Sequence, residues 1–531
     1  MKSVRLFLAF VAMLAIMTLQ VKAQDVDAAL LVKNYAKANK EQKATLAKEI
    51  EKLAINVGKS NNYKEKEQLG TLFIDFIDNG GDTQSSLFLI NLFKYFETNH
   101  DIDRLLKYVD NAKYADATIR TLAELPAYAN HIMKLAIDND GNLNPKDAYA
   151  YAIGKQKIVE LEYLLHAWLK GADNYLKLEI YTAFMRMGSD ETQLIAEKGA
   201  KKLYKKKDPK LKIGAMRILV AKEGEAAMPY LYKALKNKDM NVRREALTLM
   251  IPYTTPEVSA LVVKKYAKKD AIADIVWWIG EMYDKSQADY VVAQLSSQDP
   301  KVVKEAIIAV FKLENDEGLK KIKPMIGGVY QPAIKEAVLT CTMDPSSFLA
   351  DAARGNDQQK LAVIDILKER QLISLNNQVF AMLNSSNPEV RDGAYKVLKN
   401  VVIMSHAQML MNTMETCDEK YVPDVLEAIK VAMSKAKPDK KDEMISMMKH
   451  IQPDVMVRFY KVFAYLGTEN SINKLVEQYH SGYDKEQAVE AILLINDRHF
   501  AKVIKEIADE DEAHRVQLMQ LYNQLTERKD E

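Results

Sequence analysis

The segment AIDNDGNLNPKD (Ala136–Asp147) has the oxygen-rich spacing in which a calcium loop supplies its ligands. Counting Ala136 as position one, Asp138, Asp140, Gly141, Asn144 and Asp147 fall at the third, fifth, sixth, ninth and twelfth places. The first ligand position is an alanine, however, and the twelfth is the shorter Asp. The plainer reading is a polar turn in which Asn144 caps a helix beginning at Pro145. The eight histidines stand apart from one another, and none forms the His-x-x-x-His pair that holds zinc on a helix face. Nucleophile-elbow and phosphate-loop patterns are absent. The expectation is therefore no catalytic residue, no metal and no cofactor.

Charge is more informative. Between Glu197 and Asp270 there are nineteen Lys or Arg against eight Asp or Glu, an excess of +11. The densest pieces are KKLYKKKD (Lys201–Asp208), KNKD (Lys236–Asp239) and KKYAKKD (Lys264–Asp270). Each ends on an Asp that precedes a helical pattern. Lys205, Lys206, Lys207, Lys236, Lys238, Lys268 and Lys269 are thus expected in equivalent loops along one edge, as candidate partner contacts. The competing account is that lysines at helix C-termini complement the helix dipole and keep the surface soluble. Aromatics cluster too: Tyr149, Tyr151, Tyr163, Trp168, Tyr175 and Tyr181, and the pair Trp277-Trp278. Adjacent helix positions point about 100° apart, so only one of two tryptophans faces a core squarely. Trp278 is taken as the outward one, able to stack on a partner; the alternative is that both pack inside.

The elements that must position these residues are helices of one recurring kind. In SSQDPKVVKEAIIAVFKL (Ser296–Leu313), Asp299 is a strong N-cap, Pro300 suits the first helical position, and Val302, Val303, Ala306, Ile307 and Val310 make one apolar face. Numbered from the Asp, an apolar residue stands fourth and a small one eighth. Asp208 leads to Leu211 and Ala215, Asp239 to Val242 and Ala246, and Asn387 to Val390 and Ala394. Looser copies begin at Asp270, Gln331, Gly355, Asp418, Gln452 and Asp484, and all ten starts together have a mean step of roughly 31 residues, as in helical repeat arrays. Second helices follow, for instance AAMPYLYKALKNK and EVSALVVKKYAKK. One helix pair cannot enclose its own apolar face, so neighbours must stack.

Asp-Pro-x-Val-x-x-x-Ala followed by a second amphipathic helix resembles the short bacterial HEAT repeat. The match is good over Asp208–Lys222, Asp239–Tyr253, Asp299–Leu313 and Asn387–Val401. The resemblance implies an all-α fold, a right-handed α-solenoid of stacked antiparallel helix pairs, HEAT/armadillo-like. It implies no particular activity. The His-Glu dipeptides that di-iron HEAT-like hydroxylases use do not occur here.

Lys2 and Arg5, an apolar run Leu6–Leu19 and Val21-Lys22-Ala23 read as a cleavable export signal over residues 1–23. Its removal takes the formal net charge from +2 to −1, so nothing global favours nucleic acid. No later stretch is apolar enough for a transmembrane span. Cys341 and Cys417 lie about two and a half repeats apart, beyond disulfide reach, and read as buried small hydrophobes. The organisation expected is irregular helical repeats over 24–188, regular ones over 189–401, and degenerate ones with a charged tail over 402–531. Together these features describe an exported, periplasmic or extracellular, non-catalytic scaffold for a protein partner. A glycan or anionic surface is a lesser candidate, and nucleic acid is not expected. One alternative is a carbohydrate-active or other envelope enzyme component with a site in the groove. Another is polyanion binding through the Lys201–Lys269 edge.

Overall fold

The computed structural model describes residues 28–96 and 99–527, and every regular element among them is helical. The segment read as an export signal, residues 1–23, and the tail residues 528–531 lie outside the described residues. The chain divides into two compact units that meet in sequence between Thr254 and Thr255.

In the first unit, the helices Thr83–Leu92, Ala115–Leu122, Lys146–Gln156, Asn174–Met187, Pro209–Glu223 and Met240–Met250 stack each upon the next. A second row, Tyr128–Asp138, Glu162–Leu169, Asp190–Tyr204 and Met228–Ala234, packs against them. The second unit repeats the arrangement. Its stacked row includes Ala271–Glu281, Pro300–Leu313, Gln331–Thr340, Asp357–Leu367, Pro388–Val397 and Val422–Met433. Each unit is thus an α-solenoid of stacked helix pairs. Tyr63–Asp78 and Asn99–Leu106 are further helices within 24–188, the stretch expected to hold irregular helical repeats.

The repeat motif explains why the helices begin where they do. Asp208 Oδ1 accepts from the backbone N–H of Lys210 (2.8 Å) and Leu211 (3.2 Å), and Asp239 Oδ1 from Asn241 (2.8 Å) and Val242 (3.2 Å). Asp299, Asn387 and Asp484 cap in the same way. The looser copies are modified. The helix read from Gly355 is capped by Asn356 in a capping box with Gln359, and that read from Gln331 follows Tyr330, which offers no side-chain cap. Asp418 and Gln452 also make no side-chain cap. The fourth and eighth places are the core. Leu211, Val242, Val302 and Val390 are 3% exposed or less, and Ala215, Ala246, Ala306 and Ala394 are fully enclosed.

Small residues set how closely stacked helices approach. A Cβ added at Gly154 would lie 2.5 Å from Ala183 Cα, and one at Gly280 would lie 3.0 Å from Ala309 Cα. Side chains one repeat apart then lock the register. Arg217 grips Glu245 with two bonds (2.7 and 2.9 Å, 28 residues apart), Lys312 meets Glu281 (2.6 Å, 31 apart), and Lys335 meets Asp365 (2.8 Å, 30 apart). Such surface pairs contribute little each. Their common span shows the period directly.

Cys341 and Cys417 are both buried free thiols, each at the C-terminal end of a helix. In both places an arginine from a later element holds the open carbonyls. Arg370 donates to Val338, Cys341 (3.3 Å) and Met343 (3.0 Å), and Arg458 to Met414 (3.1 Å), Glu415 (3.3 Å) and Cys417 (2.7 Å). Two helices close the described C-terminus. Ala501–Glu510 ends at Asp511, and the last helix is Arg515–Glu527. Asp511 turns the chain there. It accepts from Tyr479 Oη (3.0 Å) and the His514 N–H (3.1 Å) and pairs with Lys485 (3.3 Å). Burial opposes its ionisation, but these donors outweigh burial and pull its pKa to about 2.

Two outcomes follow. Gly154→Ala gains helix propensity of about 1 kcal/mol but meets backbone, so a net loss of about 1–2 kcal/mol is expected in urea unfolding. Gly214→Ala, whose added Cβ has the side chain of Leu178 and no backbone as its nearest neighbours, should change the midpoint little. For Asp511 the folded pKa lies below the unfolded value, so its stabilisation is present above about pH 4 and is lost as pH falls toward 2. Asp511→Asn should cost roughly 2 kcal/mol at neutral pH, and its Tm should converge on that of the parent between pH 4 and 2.

Candidate functional site

The lysines singled out above occupy loops between second-row and first-row helices. In the first unit, Lys205, Lys206 and Lys207 follow Asp190–Tyr204, and Lys236 and Lys238 follow Met228–Ala234. All five are exposed. Lys268 and Lys269 lie in the corresponding loop of the second unit, after Pro256–Tyr266, and are exposed there.

In three repeats the chain before the helix is held from behind by the fifth residue of the repeat, which sequence reading passed over. Lys212 Nζ donates to the Tyr204 carbonyl (2.7 Å). Arg243 Nη1 donates to the carbonyls of Asn237 and Lys238 (both 2.8 Å), and Arg391 Nη1 to that of Ser385 (2.9 Å). The signal was present: a basic residue stands fifth in DPKLK, DMNVR and NPEVR. Its long side chain reaches back over the capping turn and pins the preceding loop. Burial lowers the pKa of Lys212, and the nearby Lys233 ammonium lowers it further.

The acids beside these lysines are engaged elsewhere. Asp208 and Asp239 spend one oxygen each on backbone caps, and the second oxygen of Asp208 takes the hydroxyl of Tyr175, 33 residues earlier. That hydroxyl, with the capping N–H groups, holds the Asp208 carboxyl below the usual range. Lys205, Lys206, Lys207 and Lys238 make no ion pair among the described residues. The edge is cationic because its lysines outnumber its acids, and Asp208 and Asp239 turn carboxylate oxygens to the capping N–H groups instead of to these lysines.

Trp278 must be withdrawn as a partner contact. Its ring is fully enclosed, the largest such side chain among the described residues, and Trp277 is the half-exposed neighbour. The helix turns Trp278 into the core alongside Ile275 and Ile279, which are equally enclosed. The other aromatics divide. Tyr149, Trp168 and Tyr181 are buried, whereas Tyr163 and Tyr175 are at least half exposed. Tyr151 lies between Arg120 and Arg186, whose Cζ atoms are 5.0 and 5.3 Å from its ring centre, and donates to Glu124 (2.6 Å).

Ala136–Asp147 is a helix end and a helix start. Gly141 N–H donates to the Ala136 carbonyl (2.7 Å), Leu143 enters the core, and Asp147 pairs with Arg120 (3.4 Å). Asn144 does not cap the next helix, which begins at Lys146 with Pro145 in the cap position. Among the described residues no group of three His, Cys, Asp or Glu stands close enough to hold a metal ion. A shallow cleft of about 620 Å³ lies between Pro438–Met447 and Glu469–Ser481. Three of its four carboxylates are committed, Asp442 to Thr468 and Asn470, Glu443 to Lys440, and Glu477 to Lys474; the fourth is Asp439. No described helix is long and apolar enough to cross a membrane.

No protein-family model matches this chain, and neither does any curated protein. Solved structures do show a likeness. Yeast importin-β (Kap95p) aligns over 94% of this chain and 80% of its own, at 12% identity and a TM-score of 0.38. Kap95p in a structure with RanGDP gives 94% and 81%, at 11% identity and 0.40. The karyopherin Kap121p bound to the SUMO protease Ulp1p gives 94% and 64%, at 11% identity and 0.34. At TM-scores below 0.5 the likeness says nothing about what this chain binds.

Tyr175→Phe removes the hydroxyl that depresses Asp208. The Asp208 carboxyl should then titrate at higher pH in a carbon-detected NMR titration, with the other N-cap aspartates unmoved.

Proposed function

We propose that this chain is an exported, non-catalytic scaffold that offers the loop edges of its helix stacks to a protein partner in the bacterial envelope. The observation that supports this reading is the pair of pinned loops in the first unit, where Asp208 and Asp239 turn an oxygen to the backbone caps and the adjacent lysines are exposed. Repetition of one loop geometry gives a partner several equivalent contacts, and summed weak contacts are how repeat arrays bind. The reading of residues 1–23 as a cleaved signal places the partner outside the cytoplasm.

The test is capture from the organism's own envelope fraction with the chain from residue 24 onward, then titration of the purified partner. A saturable complex is expected. Glu at Lys205, Lys206, Lys207, Lys268 and Lys269 should weaken it at least tenfold, with unchanged circular dichroism. A partner bound equally by parent and variant would discard the lysine edge. The absence of any saturable protein partner would overturn the scaffold reading.

A further inference from the structure

The loop edge of the first unit carries more than charge. Tyr175 is held against it by its hydroxyl bond to Asp208, and its ring is 50% exposed. Met240, the residue after the Asp239 cap, is 49% exposed. Three successive stacked helices, Asn174–Met187, Pro209–Glu223 and Met240–Met250, therefore present in order an aromatic ring, three lysines, and a lysine beside a thioether. We propose, resting on the scaffold reading, that this edge docks an acidic polypeptide segment lying extended across successive repeats.

Charge and spacing both point to that occupant. Stacked helices lie about 8–10 Å apart, so successive loops recur at about that interval. An extended chain in the polyproline II conformation advances about 3.1 Å per residue with three residues per turn, so every third side chain faces the edge again after about 9 Å, at the next loop. Acidic side chains at that interval reach Lys205–Lys207 and then Lys238 without leaving the edge. Lysines on flexible stems suit carboxylates presented at varying angles. The basic fifth residues, Lys212 and Arg243, hold the loop carbonyls and so keep these acceptors from competing for the lysines. Tyr175 and Met240 give apolar side chains of the segment a place to rest, methionine being adaptable in such contacts. A polyphosphate or a nucleic-acid backbone uses the lysines but has no aliphatic side chain for those two positions.

A fluorescein-labelled peptide of four Glu-Ser-Leu repeats, read by anisotropy against the chain from residue 24 onward, tests this. Saturable binding is expected, weakened at least tenfold by Lys205→Glu/Lys207→Glu/Lys238→Glu and unchanged by Lys320→Glu on the second unit. The salt dependence of Kd should flatten in the triple variant. Met240→Ser should weaken the peptide several-fold while leaving inorganic polyphosphate unaffected. Four Glu-Ser-Ser repeats should bind more weakly than Glu-Ser-Leu. Equal binding of polyphosphate or oligo-dT, lost equally in the triple variant, would overturn the polypeptide in favour of an unselective polyanion edge. Peptide binding untouched by the triple variant would overturn the edge itself. Neither of these results bears on the captured partner of the preceding test, so the scaffold reading stands or falls separately.

Discussion

The structure depends on one constraint: a two-helix module of about thirty residues has more apolar face than it can cover by itself. Only a neighbour of matching pitch completes the core, and that neighbour must come close. Ala215, Ala246, Ala306 and Ala394 sit enclosed at the same place in four repeats, and Gly154 and Gly280 let adjacent helices touch backbone to backbone. Larger side chains there would push the stack apart and open the faces it exists to close. Period, helix spacing and loop alignment are all consequences of that contact.

Turn chemistry then becomes surface chemistry. The Asp or Asn that starts a repeat is selected by helix physics, since the first-turn N–H groups need an acceptor. The same bond turns a carboxylate oxygen to the backbone and away from direct pairing with the neighbouring lysines. At Asp208 the effect is doubled, because Tyr175 takes the remaining oxygen. The fifth residue adds rigidity by holding the loop from its carbonyl side. Features that look like folding devices thus leave an ordered cationic edge on a chain whose net charge is only +2.

Ion pairs elsewhere in the stack act mainly as register marks. Arg217–Glu245 and Lys335–Asp365 join partly exposed groups, where each pair is worth little, yet they favour one alignment of neighbouring modules over a slipped one. Half-buried arginine contacts are different in kind. Arg370 and Arg458 satisfy helix-end carbonyls beside Cys341 and Cys417, which water would otherwise have to reach.

Local rules were legible in the residues. The caps at Asp208, Asp239, Asp299, Asn387 and Asp484, the enclosed alanines and the period are short-range chemistry, and short-range chemistry is written in adjacent letters. The helix Tyr63–Asp78 was equally written, with Asn62 as its cap and Leu69, Phe73 and Ile77 at helical spacing, though it lacks the Asp-Pro sign. What folding alone decided is which way side chains face and whom they meet across a repeat. Trp277 and Trp278 have the same local credentials, and only the neighbouring helices determine that Trp278 is the one enclosed. Nothing within the run KKLYKKKD reveals that Tyr175, 33 residues earlier, occupies the acid at its end. Rotation about a helix axis and contacts a full module away depend on the stacked neighbour, so they have no signature until that neighbour is in place.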